Sequence, residues 1–424
     1  MRQCVPTSVR TALIWLSLAL SLASACRRER PAPSYSQRVA PILERRCIAC
    51  HGSTPGRANV SPALDTPAAA QRVAKESLLA VERRQMPPWG ADGSGACGRF
   101  VDAAWLDDRE IDTLRRWARA GAPLGTEPEP AQKRPAEGSS PFAWLLEPAP
   151  GERRLDLKTE FTPGASSATR CFRGEVPPEG SWALGAVGLR SDPPLAVQQL
   201  QLYALSDRAQ LAALQRLEDE DSEPGWSCQS GSRVEGSELI ASWSWLNPLQ
   251  RLPAGSTVRG GAGLPLLVQV RYNLAGAGVA EHGVRATAEL VLRTATERAA
   301  WLRPLSISDL RLPPGQQRVE RALEVTYSER SKLLGVVPQL HELGRSLLLE
   351  RVRDGRRDCL ASFPQWAPPQ QQLLRYRSGV DLDPGDTLRL SCAFDTTRRG
   401  EEVLGGDQPE REQCRIFLYL GERD

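Results

Sequence analysis

The spacing of apolar positions changes partway along the chain. Between about residues 35 and 120 they recur every three or four residues, as at Val39, Ile42 and Leu43, which predicts amphipathic helices. From about residue 150 they alternate with polar positions, as in 266–272, which predicts half-buried strands. The polar, proline-bearing stretch 126–149 between these regions is typical of a linker. The pattern predicts a multi-domain chain, with a small all-α domain followed by an all-β region.

The clearest helix prediction runs from Asp108 to Ala120. Asp107 and Glu110 have the spacing of a capping box at its start, and Gly121 is suited to end it. Together with the preceding helical pattern, this segment completes a small α-helical domain over residues 34–125.

The strand predictions rest on four segments with alternating apolar positions, at 195–203, 266–273, 388–394 and 414–420. Turns rich in proline and glycine separate them, as in β-sandwich proteins. Residues 150–424 are too many for one ordinary sandwich. We therefore expect two, at residues 150–300 and 301–424.

One short motif in the helical region points to a cofactor. Cys47 and Cys50 are followed at once by His51, which is the attachment signature of a c-type haem. Each thiol can add to a haem vinyl group, and the histidine can then ligate the iron. Redox dithiols and half zinc sites share the C-x-x-C spacing, but His51 and the export signal described below favour a cytochrome c-like domain carrying haem c.

A second haem ligand is available at Met86. The chain has two methionines, and the other is Met1. Two prolines follow Met86 and keep its loop extended, before Trp89. A lone methionine can also fill a gap in a core, but the position downstream of the haem motif favours axial ligation. A Met/His pair raises the reduction potential.

The N-terminus has the features of an export signal over residues 1–25, with Arg2 and Arg10 before an apolar run and small residues after it. Two endings stay open: ordinary cleavage after 23–25, or a lipobox-like site that would lipidate Cys26. Lipidation gives Cys26 a role and makes residues 26–33 a tether. We expect an exported protein on the periplasmic side of a bacterial envelope, as an outer-membrane lipoprotein held by its lipid anchor.

Net charge argues about the kind of partner, and cysteine content argues about disulfides. The 424 residues carry a net charge of +3 with both signs spread along the chain, which argues against a nucleic-acid partner. Ten cysteines are present, of which six belong neither to export nor to haem: Cys97, Cys171, Cys228, Cys359, Cys392 and Cys414. An even number in an oxidising compartment suggests disulfides, but their pairing is open.

Several short motifs recur in a fixed order along the β region: 171–172, 196–203, 268–273, 340–345, 383–386 and 412–414. In this order they resemble the copper type II, ascorbate-dependent monooxygenases, the family of peptidylglycine hydroxylating monooxygenase and dopamine β-monooxygenase. Bacterial relatives often carry an N-terminal cytochrome c domain, so the resemblance covers nearly all of residues 34–424. It implies two jelly-roll-like antiparallel sandwiches, each holding one copper.

The resemblance also implies where copper ligands would lie, and the chain departs from nearly all of them. The family's His-His pair and third histidine fall at Gln198, Gln199 and Arg271, and its His-x-His pair and methionine fall at Gln339, His341 and Gln413.

Only three histidines are present in the whole chain, and one is committed to haem. Neither copper site can be completed, because glutamine is a poor copper ligand and Arg271 repels a cation. Copper is not expected, and the first site should suit an anion or a hydrogen-bonding group. His341 is then a hydrogen-bonded relic, and His282 is a turn residue.

The family pattern implies one disulfide, between Cys392 and Cys414. Cys171 with Cys228 is a further candidate. The pairing of Cys97 and Cys359 stays open.

Three functions fit these observations. The first is a non-enzymatic haem protein that passes single electrons to a redox partner protein, with a β region that binds or supports. The second is an active copper monooxygenase with atypical ligands, and the third is a structural lipoprotein whose haem is incidental. The histidine count favours the first over the second, and an intact His51 and Met86 favour it over the third.

Overall fold

The computed structural model describes residues 32–52, 61–88, 90–101, 105–125, 148–162, 167–176, 182–193, 196–228, 231–244, 249–252, 256–259, 263–273, 283–294, 298–408 and 410–423. The signal at 1–25, Cys26, Trp89, His282 and nearly all of the linker lie outside the described residues. Within the described part, no helix is long and apolar enough to cross a membrane.

Short helices form the N-terminal region. After a π-helical turn at Tyr35–Val39 they are α1 (Ala40–Arg46), α2 (Ile48–His51), α3 (Pro67–Arg72), α4 (Ala74–Glu82) and α5 (Asp108–Arg119). The capping box predicted for α5 is confirmed: Asp107 Oδ1 accepts from Glu110 N at 2.7 Å, and Glu110 Oε2 accepts from Asp107 N at 3.0 Å. Gly121 follows the helix with φ +82°, a conformation that favours glycine. The apolar faces of the helices pack around the buried Trp117.

Two facing sheets form the N-terminal sandwich. Its strands are β1 (Glu152–Phe161), β2 (Ser167–Gly174), β3 (Trp182–Asp192), β4 (Val197–Ala204), β5 (Trp226–Ser227), β6 (Glu238–Ser244), β7 (Leu249–Arg251), β8 (Ser256–Arg259), β9 (Leu266–Asn273) and β10 (Val284–Thr294). One sheet has the order β1-β10-β3-β8, with β7 beside β3, and the other has the order β5-β2-β9-β4-β6. Buried apolar side chains such as Trp182, Leu200 and Tyr272 fill the space between them.

The C-terminal sandwich has the same construction. Its strands are β11 (Arg298–Ser306), β12 (Arg311–Leu312), β13 (Val319–Thr326), β14 (Ser331–Gln339), β15 (Gly344–Arg353), β16 (Arg356–Phe363), β17 (Leu374–Leu382), β18 (Thr387–Phe394), β19 (Val403–Leu404) and β20 (Arg415–Gly421). The sheet β11-β20-β14-β17 faces the sheet β13-β18-β15-β16, and β12 pairs with β19. Leu349, Phe363 and Phe394 are among the residues of its core.

The two sandwiches share one sheet. The first residues of β11 pair in parallel with β8, and its remaining residues pair antiparallel with β20. The division expected at residues 300 and 301 falls inside this strand. The all-β prediction for the region after residue 150 is confirmed in the described residues, apart from a helix that the sequence pattern did not predict, α6 (Ala209–Glu220).

Three disulfides join the described cysteines outside the C-x-x-C motif: Cys97–Cys359, Cys171–Cys228 and Cys392–Cys414. The Cys392–Cys414 bond implied by the family resemblance is confirmed, and so is the candidate pair Cys171–Cys228. The pair that the sequence left open connects the N-terminal helical region to the C-terminal sandwich.

Residues 90–101 lie along the C-terminal sandwich. Val101 N donates to Arg375 O at 2.8 Å, beside a bridge between Phe100 and Tyr376. The rings of Phe100 and Tyr376 lie 5.0 Å apart between centroids. The segment that follows the Met86 loop is therefore held by backbone pairing and aromatic packing as well as by a disulfide.

Replacing the pair Cys97 and Cys359 by alanine should destabilise the chain most among the three disulfides. This bond spans a sequence separation of 262 residues, whereas Cys392–Cys414 spans 22. Loop-closure entropy in the unfolded chain then gives about 5 kcal/mol for the first and about 3 kcal/mol for the second. Urea unfolding under non-reducing conditions measures both losses. A larger loss for the Cys392→Ala/Cys414→Ala control would contradict this account.

Candidate functional sites

Two unpaired thiols lie at the short helix α2, that of Cys47 directly before it and that of Cys50 within it. The six other described cysteines form disulfides, whereas Cys47 and Cys50 do not. Burial raises the pKa of Cys47 to about 12 and that of Cys50 to about 11. Reactive redox dithiols have a lowered thiol pKa, so the raised pKa values do not favour the redox-dithiol alternative.

His51 ends the same helix, and its ring is oriented by a backbone carbonyl. Its Nδ1 lies 2.9 Å from Pro62 O. A carbonyl only accepts, so Nδ1 carries the proton and the ring lone pair lies on Nε2. This is the outer-shell arrangement that orients a metal-ligating histidine. The donor set of Cys47, Cys50 and His51 therefore fits a c-type haem.

Met86 lies in the turn after α4, where its backbone N donates to Ala80 O at 3.2 Å. The residue is 39% exposed, among the more exposed large apolar residues of the described part. A methionine that fills a core gap is buried, so this exposure does not favour the gap-filling alternative.

A second candidate site is a cleft between the two sandwiches, with a volume of about 520 Å³ including its open mouth. Five of the six positions matched to copper ligands line it: Gln199, Arg271, Gln339, His341 and Gln413. β4 and β9 supply the first two, and β14 and the segments that follow β14 and precede β20 supply the others. The two expected sites thus open into one shared cleft.

Gln198 is the position that the structure places elsewhere. The register between β4 and β9 shifts between Val197 and Gln199, so Gln198 lies at an irregularity of the ladder. Its side chain is half-buried and does not line the cleft. We had expected Gln198, Gln199 and Arg271 to converge, but only Gln199 and Arg271 do, as cross-strand neighbours.

Gln199 connects the two sandwiches across the cleft. Its Nε2 donates to Gln371 Oε1 at 3.0 Å, and Gln371 Nε2 in turn donates to Leu340 O at 2.9 Å. Ser242 Oγ also donates to Gln371 O at 3.2 Å. The amide at a position matched to a family histidine therefore forms a bond between the sandwiches, and sequence analysis did not identify Gln371 as a site residue.

His341 is a buried, neutral imidazole. Its Nδ1 lies 2.7 Å from Arg411 O, which only accepts, so Nδ1 carries the proton. Burial lowers the pKa of His341, and the positive charges of Arg271 and Arg415 add to that effect. The ring is hydrogen-bonded, as expected, with Nε2 left as an acceptor.

Gln413 is held by an ion pair that the sequence did not predict. Its Nε2 donates to Asp407 Oδ1, and Arg415 Nη1 donates to the same oxygen at 2.9 Å. Asp407 and Arg415 both line the cleft. Their charges cancel locally, so Gln413 and this pair add polarity to the cleft without adding net charge.

Glu412 fixes the turn that carries His341. Its carboxylate accepts from the backbone N–H groups of His341, Leu343 and Gln413. The side chain is buried, and burial raises the pKa of Glu412 to about 7 against the opposing effect of these hydrogen bonds. The acid anchors the positions of both His341 and Gln413.

Two groups in the cleft lack a partner within the described structure. The Arg271 guanidinium is half-buried and forms no hydrogen bond or ion pair there with any described residue, and burial lowers its pKa. Gln339 Oε1 is buried and accepts no hydrogen bond. Arginine nevertheless stays charged in proteins, so the cleft is lined by a cation without an ion-pair partner among the described residues and by an unsatisfied amide.

This donor set does not fit redox copper. It offers one imidazole, several amides and a fixed positive charge, whereas copper is held by imidazole and sulfur ligands. Among the described residues, no group of three or more His, Cys, Asp or Glu side chains is placed to hold a metal ion.

Substituting Glu412→Gln should remove a pH dependence of stability. The pKa of about 7 lies above the ordinary glutamate value of 4.5, so the folded chain retains a proton that the unfolded chain releases. The free energy of unfolding should then fall by about 3 kcal/mol as pH rises from 4.5 to 7. Urea unfolding across this range measures the slope.

The exposed neighbour Glu410 provides the control, because Glu410→Gln should leave the slope unchanged. A slope that survives in Glu412→Gln would show that another group is responsible.

Comparison with solved structures gives weak matches. A subviral particle of infectious bursal disease virus VP2 is 11% identical, covering 63% of this chain and 72% of that chain with a TM-score of 0.16. The Gx strain of the same virus gives 10% identity, coverage of 64% and 75%, and a TM-score of 0.16. Scores this low carry no argument about fold or function.

Comparison with known sequences is more informative. The family model of the copper type II ascorbate-dependent monooxygenase C-terminal domain matches residues 305–422. Tyramine beta-hydroxylase of Caenorhabditis briggsae is 34% identical over 80 residues, which is 19% of this chain and 14% of that protein. The chain thus spans about one seventh of the length of this curated relative. Both matches support the copper type II ascorbate-dependent monooxygenase family, and the family model matches the part of the chain that forms the C-terminal sandwich.

Proposed function

We propose that the chain is a c-type haem protein that transfers single electrons, with a β region that serves as a copper-free binding or scaffold module. One observation carries the haem assignment. Cys47 and Cys50 stay unpaired beside a histidine of fixed tautomer, in a structure whose other described cysteines are disulfide-bonded. That combination fits covalent haem attachment better than it fits a redox or structural thiol pair.

The proposed roles follow from what each residue offers. Cys47 and Cys50 hold the haem by thioether bonds, and His51 presents Nε2 because Pro62 O holds Nδ1. Met86 supplies a thioether from an exposed turn. When bound in this way, haem c exchanges one electron at a time, and methionine ligation raises its potential.

The proposal for the β region rests on the chemistry of the cleft. Gln199 and Gln413 are engaged with Gln371 and Asp407, and His341 offers one imidazole. A protein that lacks copper ligands but keeps a polar cleft is suited to bind a ligand or a partner.

Location and partners are proposed from the sequence. An export signal at 1–25 and a lipidated Cys26 would place the chain on the periplasmic side of a bacterial outer membrane. There it would exchange electrons with a redox partner protein, and its balanced charge does not favour nucleic acid.

An active copper monooxygenase is the second candidate. It is favoured by the family match at residues 305–422 and by the relative named tyramine beta-hydroxylase. Family membership describes the fold, whereas catalysis depends on the site. The glutamines and Arg271 in the cleft oppose this candidate.

Metal analysis of the purified full-length chain separates the two candidates. We expect about one iron per chain, as covalent haem, and far less than one copper after copper exposure, because the cleft offers one imidazole and a positive charge. The Cys47→Ala/Cys50→Ala variant should lose covalent haem and keep its β-sheet signal. Stoichiometric copper together with ascorbate-dependent hydroxylation of tyramine would overturn the proposal.

Changing Met86→Ala should lower the haem reduction potential and abolish the weak sulfur-to-iron absorption band at the red end of the spectrum. Loss of the thioether leaves the iron with His51 alone or with water. Redox titration and absorption spectroscopy measure both effects. Leu79→Ala is the matched control, because Leu79 is an exposed apolar residue of the neighbouring helix α4. An unchanged spectrum in Met86→Ala would refute this ligand.

A further inference from the structure

The cleft between the sandwiches carries one positive charge that the described residues do not neutralise. Arg415 is paired with Asp407, and His341 is neutral. Arg271 remains, with Glu342 as the acid whose field reaches it without forming an ion pair. Glu342 is exposed and its charge is screened by solvent, so it offsets only part of the positive charge of Arg271 on that side of the cleft.

The backbone holds Arg271 in this position. It lies in β9, which is hydrogen-bonded to strand β2 on one side and to strand β4 on the other. Arg271 is opposite Thr169 of β2 and opposite Gln199 of β4. Because side chains on paired strands share a face, Gln199 and Thr169 flank the guanidinium and both line the cleft. Gln199 is already bonded to Gln371, so it does not compensate the charge of Arg271.

A second, independent observation comes from the opposite wall. Gln339 is 5% exposed and lines the same cleft, and its Oε1 accepts no hydrogen bond from the described residues. A buried polar atom without a partner is unfavourable. Oε1 itself has almost no exposed surface, so a ligand reaches it once the Gln339 amide turns toward the cleft, and a hydrogen bond donated to it there removes the penalty.

The neighbouring groups define the remaining chemistry. Tyr203 Oη donates to Gln201 Oε1 at 2.8 Å, so Gln201 presents its amide nitrogen as a donor in the cleft. His341 presents Nε2 as an acceptor, because its proton is on Nδ1. The cleft thus combines a cation and an amide donor with an imidazole acceptor and an unsatisfied amide oxygen.

We propose that this cleft binds a small organic anion of the hydroxycarboxylate class. The carboxylate pairs with the Arg271 guanidinium, which suits two parallel hydrogen bonds to carboxylate oxygens. The hydroxyl lies toward Gln339 and donates its proton to Oε1. This inference rests on the proposed absence of copper from the cleft.

The charge of the cleft selects among ligands. The positive charge of Arg271 would repel an ammonium group. An amine is therefore disfavoured as the hydrogen-bond donor to Gln339. A plain carboxylate satisfies Arg271 and leaves Gln339 without a partner. A neutral amide carrying a hydroxyl satisfies Gln339 and leaves Arg271 uncompensated. Only a molecule with both groups meets both needs.

Isothermal titration calorimetry on the full-length haem-loaded chain tests the proposal with glycolate, acetate and glycolamide. Glycolate should bind about tenfold more tightly than acetate, which lacks the hydroxyl, and more tightly still than glycolamide, which lacks the charge. Equal affinities for glycolate and glycolamide, or no heat with glycolate at any concentration, would overturn the proposal.

Two cleft variants assign the groups. Arg271→Gln should weaken glycolate binding at least about tenfold, and Arg271→Lys should restore part of it because the charge returns. Gln339→Leu should abolish the preference for glycolate over acetate while keeping acetate affinity. Arg153→Gln, on an exposed strand face, is the control and should change nothing.

Thermal unfolding of each variant checks that it is folded. If Arg271→Gln is unfolded, the comparison between Arg271→Lys and Gln339→Leu decides instead, and unchanged binding in both refutes the site. Copper analysis of the same samples distinguishes a failure of the proposed function from a failure of the anion site alone. Stoichiometric copper refutes the proposed function, whereas copper-free protein that ignores glycolate refutes only the anion site.

Discussion

Strand β11 belongs to two sandwiches at once, and the geometry of the cleft depends on it. Its first residues pair with β8, and the rest of the strand pairs with β20. Backbone ladders hold neighbouring strands about 5 Å apart, so the two sandwiches are joined through a continuous sheet rather than through a flexible hinge. Side chains that are far apart in sequence, such as Arg271 and His341, therefore face one common space.

Most polar groups that line the cleft form hydrogen bonds within the protein. Gln199 is bonded to Gln371, Gln413 to Asp407, and His341 to a backbone carbonyl. Each of these bonds avoids the penalty of a buried polar group without a partner. Arg271 has no ion-pair or hydrogen-bond partner among the described residues, and Gln339 Oε1 accepts no hydrogen bond from them. Both residues line the same cleft.

The features that sequence analysis predicted are those determined by near neighbours. The capping box of α5 depends on Asp107 and Glu110, three residues apart, and the strands depend on alternation over a few residues. The grouping of Gln199 with Arg271, and of His341 with Gln413, came from the family pattern rather than from local rules.

What the sequence did not reveal depends on long-range packing. The Gln199–Gln371 hydrogen bond joins segments 172 residues apart, and the Cys97–Cys359 disulfide joins segments 262 residues apart. No local sequence pattern predicts either contact. Gln198 was misplaced because a shift in strand register is decided by the partner strand. Helix α6 was not predicted, although Leu211, Leu214 and Leu217 recur at helical spacing and pack into one cluster, so a local signal for it was present.

The bond between Cys97 and Cys359 also determines how the chain comes apart. Every peptide bond between these two residues, including those of the linker at 126–149, lies inside a covalent ring. A protease that cuts once within the ring opens it but leaves the two pieces attached. After a cut inside the ring, the Met86 turn and the C-terminal sandwich therefore separate only once the disulfide has also been reduced, and a nicked molecule in an oxidising compartment keeps its N-terminal helical region tethered.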